Sequence, residues 1–221
     1  MSKRADAPQL SRERILEAAL AVIGRDGMNA FSMRRLAQEL DVWPMSVYRY
    51  FRDKDELLDA IAAHTAAAVP LGSGAASWRE QLSDLLDGAR EAMAHDPAGI
   101  GGSLARAFLT PEALRLSEAA LAILEDAGLT KAGAASAWRA LWSYTYGFAM
   151  FRIAPTPDEA RRATRAAIAV LPDEDYPALL ASANEVAATL AGDDEEFRYG
   201  LDRLLEGITA DAAAAPRTAP A

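Results

Sequence analysis

Apolar residues recur at helical spacing along almost the whole of this chain. In the first such segment, Ile15, Ala19, Val22 and Ile23 lie three or four positions apart, which is the repeat of an amphipathic α-helix. Short polar residues that can accept a hydrogen bond from the first turn of a helix precede the segments at Ser11, Ser32, Asp53, Ser77, Thr110, Thr130, Thr156 and Asp193 or Asp194. No segment alternates with the period of two that is typical of β-strands. The pattern therefore predicts an all-α fold.

The same pattern predicts how the chain is divided. The segment VPLGSGAAS, residues 69–77, is rich in residues that favour a linker or a bend. We predict a flexible N-terminal arm over 1–10, a three-helix domain over 11–54, a connecting helix and bend over 55–76, a larger helical domain over 77–210, and a disordered Ala- and Pro-rich tail over 211–221.

Composition narrows the class of protein. Hydrophobic residues make up 51% of the 221 positions, which suits a well-buried helical protein. The chain has no Cys, no apolar run of the ~20 residues that a membrane span needs, and no apolar segment typical of a signal peptide near its start. The expected location is therefore the cytoplasm, without a membrane partner. The two histidines, His64 and His95, lie in no metal-ligand pattern, so we predict neither a metal site nor a cofactor.

Charge is distributed unevenly along the chain. Residues 1–54 hold ten Lys or Arg and seven Asp or Glu, a net charge of +3, whereas residues 55–221 hold thirteen and twenty-five, a net charge of −12. A basic head on an acidic body indicates that the head meets an anion and the body does not.

The stretch DVWPMSVYRYF, residues 41–51, mixes aromatic, apolar and basic side chains. With the preceding FSMRRLAQEL it predicts a helix, a tight turn at Asp41 in the left-handed conformation, and a second helix that begins at Pro44. Val47 and Phe51 are four residues apart and would pack inward. The outward positions would then be Pro44, Met45, Ser46 and Arg49, flanked by Tyr48 and Tyr50.

This mixture suits a helix that lies in the major groove of double-stranded DNA. Arg49 could reach guanine acceptors or phosphate, and Pro44 and Met45 could meet thymine methyl groups. Tyrosine hydroxyls could reach phosphate oxygens, and the free N–H groups from Ser32 to Arg34 also favour a phosphate.

The run from Arg12 to about Leu58 resembles the DNA-binding domain of the TetR family of bacterial regulators, through FSMRRLAQEL, VYRYF and FRDKDELLDAI. More loosely, residues 77–208 resemble the C-terminal domain of the tetracycline-repressor branch, through SWREQL, AHDP, LEDAGLTKAGA and FRYGLDRLLEGI. The resemblance implies an all-helical homodimer that acts as a repressor, is released from a near-palindromic operator by a small molecule, and is not an enzyme.

Carried over residue by residue, the resemblance implies a set of DNA contacts. Arg34, Pro44, Met45, Ser46, Arg49 and Lys54 would face DNA, with Ser32, Tyr48 and Tyr50 on phosphates. The sequence departs from the family at Trp43, where a small capping residue is frequent. Trp cannot cap a helix, so either the cap is absent or Trp43 touches the DNA backbone or packs beneath it.

The larger domain holds candidates for an effector pocket and a dimer interface. An unknown, small, largely apolar effector would bind near Phe108, Trp138, Trp142, Tyr146 and Met150. Candidates for the dimer interface are Gly147, Phe197, Gly200, Leu201, Leu204 and Leu205. The alternative for both sets is intramolecular core. The stretches GIGGSLARAFL and YGFAMF lack the His and Glu that hold a magnesium–drug complex in tetracycline-binding members, so tetracycline is not the expected ligand.

Two other functions stay open at this point. The aromatic cluster and the acidic body are compatible with a small helical ligand-binding protein or enzyme that does not bind DNA. The same fold could also serve a transcriptional activator or a regulator without a ligand.

Overall fold

A computed structural model describes residues 10–72, 74, 77–95, 109–151 and 156–214 of the chain. These residues form eleven α-helices and no β-strand, in agreement with the predicted all-α fold. In chain order the helices are α1 (Arg12–Asp26), α2 (Met33–Glu39), α3 (Pro44–Tyr48), α4 (Lys54–Ala67), α5 (Trp78–His95), α6 (Pro111–Asp126), α7 (Lys131–Met150), α8 (Pro157–Ile168), α9 (Pro177–Ala181), α10 (Ala183–Thr189) and α11 (Asp194–Ala214).

The chain forms two compact units. The first contains the described residues up to 71 and those from 91 to 119, and the second contains those from 72 to 90 and from 120 onward. These two units are defined by packing contacts, whereas the domain boundaries predicted from the sequence are defined by composition. The predicted domain boundaries therefore stay a prediction. None of the helices in the described part of the chain is long and apolar enough to cross a membrane.

Side-chain caps begin the helices where the sequence predicts them. The Ser11, Ser32 and Asp53 side chains accept hydrogen bonds from N–H groups three residues later, which satisfies one free donor in each first turn. Thr156 and Glu159 form a reciprocal capping box at the start of α8. Further predicted caps with the same kind of bond are Ser77, Thr110, Thr130 and Asp193.

Helix α7 packs against α11 in the second unit. The Tyr144 ring stacks on Phe197 at 5.5 Å between centroids, and Phe148 meets Phe197 edge-on at 5.2 Å. The guanidinium of Arg90 lies 5.0 Å from the centre of the Phe197 ring and pairs with Asp194 at 3.0 Å. The beginning of α11 is therefore held by both ring contacts and an ion pair.

This packing corrects part of the predicted dimer interface. Phe197, Leu201 and Leu205 are at most 2% exposed within one chain, so they have no surface left to offer a partner. Gly200 is packed against Tyr144 of the same chain. Phe197, Leu201 and Leu205 belong to the intramolecular core that the sequence left as an alternative, whereas Gly200 is partly exposed and its dimer role stays a prediction. Gly147 is exposed and Leu204 is partly exposed, so a place at the dimer interface stays a prediction for both residues.

The last helix is longer than the sequence suggested. Helix α11 continues to Ala214, into the segment predicted as a disordered tail from residue 211. Residues 211–214 include three alanines, and alanine has the highest helix propensity. The helix therefore extends into the start of the Ala-rich tail, which was predicted from composition alone.

Candidate nucleic-acid interface

The hydrophobic core of the first unit holds the helix-turn-helix in place. Leu36 and Ala37 of α2 and Val47 of α3 are at most 1% exposed, and Phe51, just beyond α3, is fully buried. The burial of Val47 and Phe51 is what the sequence predicted. They pack with Ile15, Ala19, Val22, Ile23, Phe31, Met33, Leu40, Leu57 and Ile61. Because α3 is only five residues long, this buried face fixes its orientation.

The turn between α2 and α3 has the geometry that the sequence predicted. Asp41 has a φ of +54° in the left-handed region, which Asp tolerates better than most residues. The N–H of Val42 donates to the Ala37 carbonyl at 3.0 Å, and that of Asp41 donates to Gln38 at 3.2 Å. These two bonds form a Schellman motif, which ends α2 and directs the chain into α3.

Arg12 holds the segment that follows α3. Its guanidinium donates to the Tyr50 carbonyl at 2.6 Å, approaches Glu56 at 3.4 Å, and lies 4.1 Å from the centre of the Phe51 ring. The Tyr50 hydroxyl donates to the Leu10 carbonyl at 2.5 Å. The start of α1 is thereby tied to the segment that follows α3.

The predicted DNA-facing residues fall into two groups. Ser32, Arg34, Met45, Tyr48 and Arg49 are exposed, and Pro44 and Ser46 are partly exposed. Tyr50 and Lys54 are partly buried and bonded inside the unit. The Tyr50 hydroxyl gives its only proton to Leu10, so its predicted phosphate contact is not supported. The Lys54 ammonium donates to the Phe31 carbonyl at 3.0 Å, which leaves two of its three donors for another partner.

The arginines in and around the helix-turn-helix also fall into two groups, those with ion pairs and those without. Arg25 and Arg35 form ion pairs with Asp26 and Glu39, and Arg52 pairs with Asp53. By contrast, neither Arg34 nor Arg49 forms a hydrogen bond or an ion pair through its side chain with any residue that the structure describes. Two exposed guanidinium groups therefore remain available on the helix-turn-helix.

Trp43 is the residue of this surface that the predicted set of contacts omitted. It immediately precedes α3, makes no side-chain capping bond, and is 82% exposed. The missing side-chain cap agrees with the first of the explanations that the sequence left open, and the exposure of the ring leaves a contact with DNA as a prediction. The sequence signal that could have added Trp43 to the predicted DNA contacts was the absence of a capping residue before α3.

The predicted pocket residues of the second unit lie at different depths. Trp138 is buried, Trp142 and Tyr146 are partly buried, and Met150 is 45% exposed. The rings of Trp138 and Trp142 are 5.2 Å apart, and burial raises the pKa of the Tyr146 hydroxyl. Phe108 lies outside the described residues, and the pocket role of all five stays a prediction.

A groove of about 490 Å³ lies elsewhere in the second unit, between the first half of α7 and the second half of α11. Its lining is made mostly of small and aliphatic side chains: Leu129, Thr130, Gly133, Ser136, Ala137, Ala140, Arg203, Leu204, Gly207 and Ile208. None of the predicted pocket aromatics lines it, whereas Leu204, a predicted dimer residue, does. Among the described residues, no group of three or more His, Asp or Glu is placed to hold a metal ion.

A small helical core that presents two short helices joined by a tight turn, with Arg34 and Arg49 exposed and without an ion pair to a described residue, is typical of helix-turn-helix DNA-binding proteins. Comparison with known proteins identifies the family. The family model described as "Bacterial regulatory proteins, tetR family" matches residues 15–61, and that described as "Tetracyclin repressor-like, C-terminal domain" matches residues 70–212. The chain belongs to the TetR family, and it is a DNA-binding transcriptional regulator, not an enzyme.

Individual relatives agree with this assignment. The chain is 32% identical to the HTH-type transcriptional repressor DrrR1 of Streptomyces coeruleorubidus, over 93% of this chain and 79% of the relative. It is 28% identical to the class C tetracycline repressor of Escherichia coli, over 90% and 91% of the two chains. Its fold matches that of the TetR family protein ActR from Streptomyces coelicolor, crystallised with actinorhodin, with a TM-score of 0.73 at 24% identity, over 93% and 99% of the two chains.

Proposed function

We propose that the protein is a homodimeric repressor that binds a near-palindromic operator through α3 and leaves it when a small molecule binds the second unit. The observation that carries the DNA-reading part is the pair Arg34 and Arg49. Both are exposed on the helix-turn-helix, and neither is paired with a described residue. Free guanidinium groups suit guanine acceptors and phosphates, and Met45, Ser46 and Tyr48 complete the reading face.

For the dimer, the support comes from the exposed side of α7. Ser136, Ala140, Ser143 and Gly147 are all exposed and recur three or four residues apart, so they share one face of the helix. Small side chains let two helices approach closely, and the adjoining groove reaches Leu204 on α11. We assign this face, with Gly147 and Leu204, to the contact between two copies, in a bundle of α7 and α11 from each.

For the effector, the support is the aromatic side of the same helix. Trp138, Trp142 and Tyr146 recur four residues apart, so they share one side of the helix, and the partly exposed Trp142 and Tyr146 present aromatic surface there. We assign this side, with Met150 and Phe108, to a small, largely apolar or aromatic ligand. Such a ligand releases DNA only if it prefers the conformation whose two reading heads do not match half-sites about 34–36 Å apart.

The test is binding of the purified protein to DNA fragments that flank its own coding region, across a salt series. We expect saturable binding to one fragment, protection of a near-palindromic site, and a steep loss of affinity with salt. Failure to bind these fragments, or any DNA selected from a random pool, would contradict the proposal. A reporter gene behind the protected site then separates repression from activation.

A further inference from the structure

The backbone of Trp43 is hydrogen-bonded within α3, whereas its side chain is exposed. Its carbonyl accepts a hydrogen bond from the N–H of Ser46 at 2.8 Å, which closes the first turn of α3. Its indole makes no ring contact, hydrogen bond or cation–π contact with any described residue. Two residues further on, Met45 is 71% exposed. Two large apolar side chains are therefore presented at the N-terminal end of the recognition helix.

A single exposed apolar side chain is common on protein surfaces and requires no explanation. Trp43 and Met45 differ from such scattered side chains because they lie together at the N-terminal end of α3. In a helix-turn-helix, the N-terminal residues of the second helix contact the edges of the bases in the major groove. Arg34 and Arg49 of the same helix-turn-helix are exposed and form no ion pair with a described residue, so the charge that this segment presents suits DNA. The ring at position 43 would thus be carried to the base edges.

The chemistry of the major groove restricts what an indole can meet there. Base edges present hydrogen-bond donors and acceptors, and the C5-methyl group of thymine is the apolar group among them. Covering polar edges with an apolar ring would leave donors and acceptors unpaired, at a cost in free energy. Covering a methyl group removes apolar surface from water and is favourable.

We propose that Trp43, together with Met45, packs on thymine methyl groups of the operator, and that this apolar pair sets a preference for thymine in each half-site. The proposal rests on the DNA-reading role of α3 proposed above. It makes Trp43 a residue that determines specificity, in addition to the arginines.

The test uses an operator selected from random DNA and copies in which each thymine in turn is replaced by deoxyuridine, which removes only the methyl group. We expect the wild-type protein to lose about three- to fivefold in affinity for each methyl group that it contacts. In Trp43→Ala the loss at the methyl group under the ring should disappear, whereas Trp43→Phe should retain most of it. Affinities are compared at the lowest salt concentration at which every variant binds saturably.

Val170→Ala serves as the matched control, because Val170 is 81% exposed and lies in the second unit. It should show the same response to deoxyuridine as the wild-type protein. Equal weakening of thymine and deoxyuridine operators by Trp43→Ala would overturn the proposal, since the ring would then contact the sugar–phosphate backbone. Failure of the wild-type protein to select any DNA would instead overturn the DNA-reading role itself.

Discussion

The hydroxyl group of Tyr144 on α7 occupies the space that a β-carbon on Gly200 of α11 would need. The same hydroxyl hydrogen-bonds to the carbonyl oxygens of Phe197 and Glu196, at 3.0 and 3.3 Å. Burial, with a smaller contribution from the charge of Glu196, raises the pKa of Tyr144. Glycine at position 200 is therefore required by an intramolecular helix crossing.

Replacing Gly200 with Ala should destabilise the second unit. The added methyl group would displace a ring that is held by stacking on Phe197 and by its hydroxyl bonds. We expect a loss of about 1–3 kcal/mol in the free energy of unfolding, although Ala favours a helix over Gly by about 1 kcal/mol. Thermal and denaturant unfolding measure the change.

Gly24→Ala provides the control for helix propensity. Gly24 lies within α1, and a β-carbon there would meet nothing within 4 Å. This variant should be as stable as the wild-type protein or more stable. A stability gain in Gly200→Ala as large as that in Gly24→Ala would show that the Tyr144 contact does not constrain the crossing.

Removing Arg34 and Arg49, which form no ion pair with a described residue, should abolish specific DNA binding without unfolding the protein. Arg34→Ala and Arg49→Ala should each lower affinity by about 1–3 kcal/mol if the side chain contacts a base. A phosphate contact would instead weaken binding to all sequences and reduce the salt slope by about one. Fluorescence anisotropy with labelled operator, over a range of salt concentrations, distinguishes these two cases.

Arg162→Ala is the matched control for the loss of one positive charge. Arg162 is an exposed arginine of α8, and its side chain forms no ion pair with a described residue. Its removal should leave operator affinity nearly unchanged. Undiminished operator binding by the Arg34→Ala, Arg49→Ala double variant would exclude both arginines from the interface.

A charge placed on the small-residue face of α7 should separate the proposed dimer. Ala140 is exposed at the middle of this face and lines the groove beside α11. Ala140→Arg should convert dimer to monomer in sedimentation velocity, because an uncompensated buried charge is costly. It should also lose operator binding, since two linked half-sites are required for high affinity.

The control for this variant lies on the same helix. Ala135 is also exposed, but it is about 100° around the helix axis from Ser136. Ala135→Arg should therefore remain dimeric. An unchanged sedimentation coefficient for Ala140→Arg would place the dimer contact on another surface.

Local rules of sequence were sufficient to predict the helix-turn-helix. Ser32 and Asp53 cap their helices, Asp41 adopts the left-handed conformation, and Val47 and Phe51 are buried. Each of these properties depends on neighbours within a few residues, so it is visible in the sequence. Membership of the family follows from the same short motifs.

Properties that depend on distant parts of the chain were not predicted. The partner of the Tyr50 hydroxyl is Leu10, forty positions away, and the Gly200 contact is Tyr144, on another helix. An apolar stripe such as that of Phe197, Leu201 and Leu205 looks the same whether it packs inside one chain or between two. The burial of all three residues within one chain shows that this stripe is already covered.

Acid should weaken the first unit through the ion pairs between α1 and α2. Hydrogen bonds from Arg25 are the largest cause that lowers the pKa of Asp26 and of Glu39, and Arg35 adds to both. A carboxyl whose pKa is lower in the folded state stabilises the fold while it is ionised. This stability is fully present above the usual pKa values of 3.8 and 4.5 and is lost as the pH falls through the lowered values.

We therefore expect the midpoint of thermal unfolding to fall between about pH 5 and pH 2. The double variant Asp26→Asn, Glu39→Gln should have a lower unfolding midpoint than the wild-type protein near neutral pH. Its midpoint should fall less over this pH range, because it has no carboxylate to protonate at these positions. High salt should reduce the difference, since both pairs are partly exposed. Glu17→Gln, at an exposed position of α1 that forms no ion pair with a described residue, should follow the wild-type curve. If the unfolding midpoint of the double variant has the same pH dependence as that of the wild-type protein, the ion pairs of Arg25 and Arg35 do not contribute to acid sensitivity.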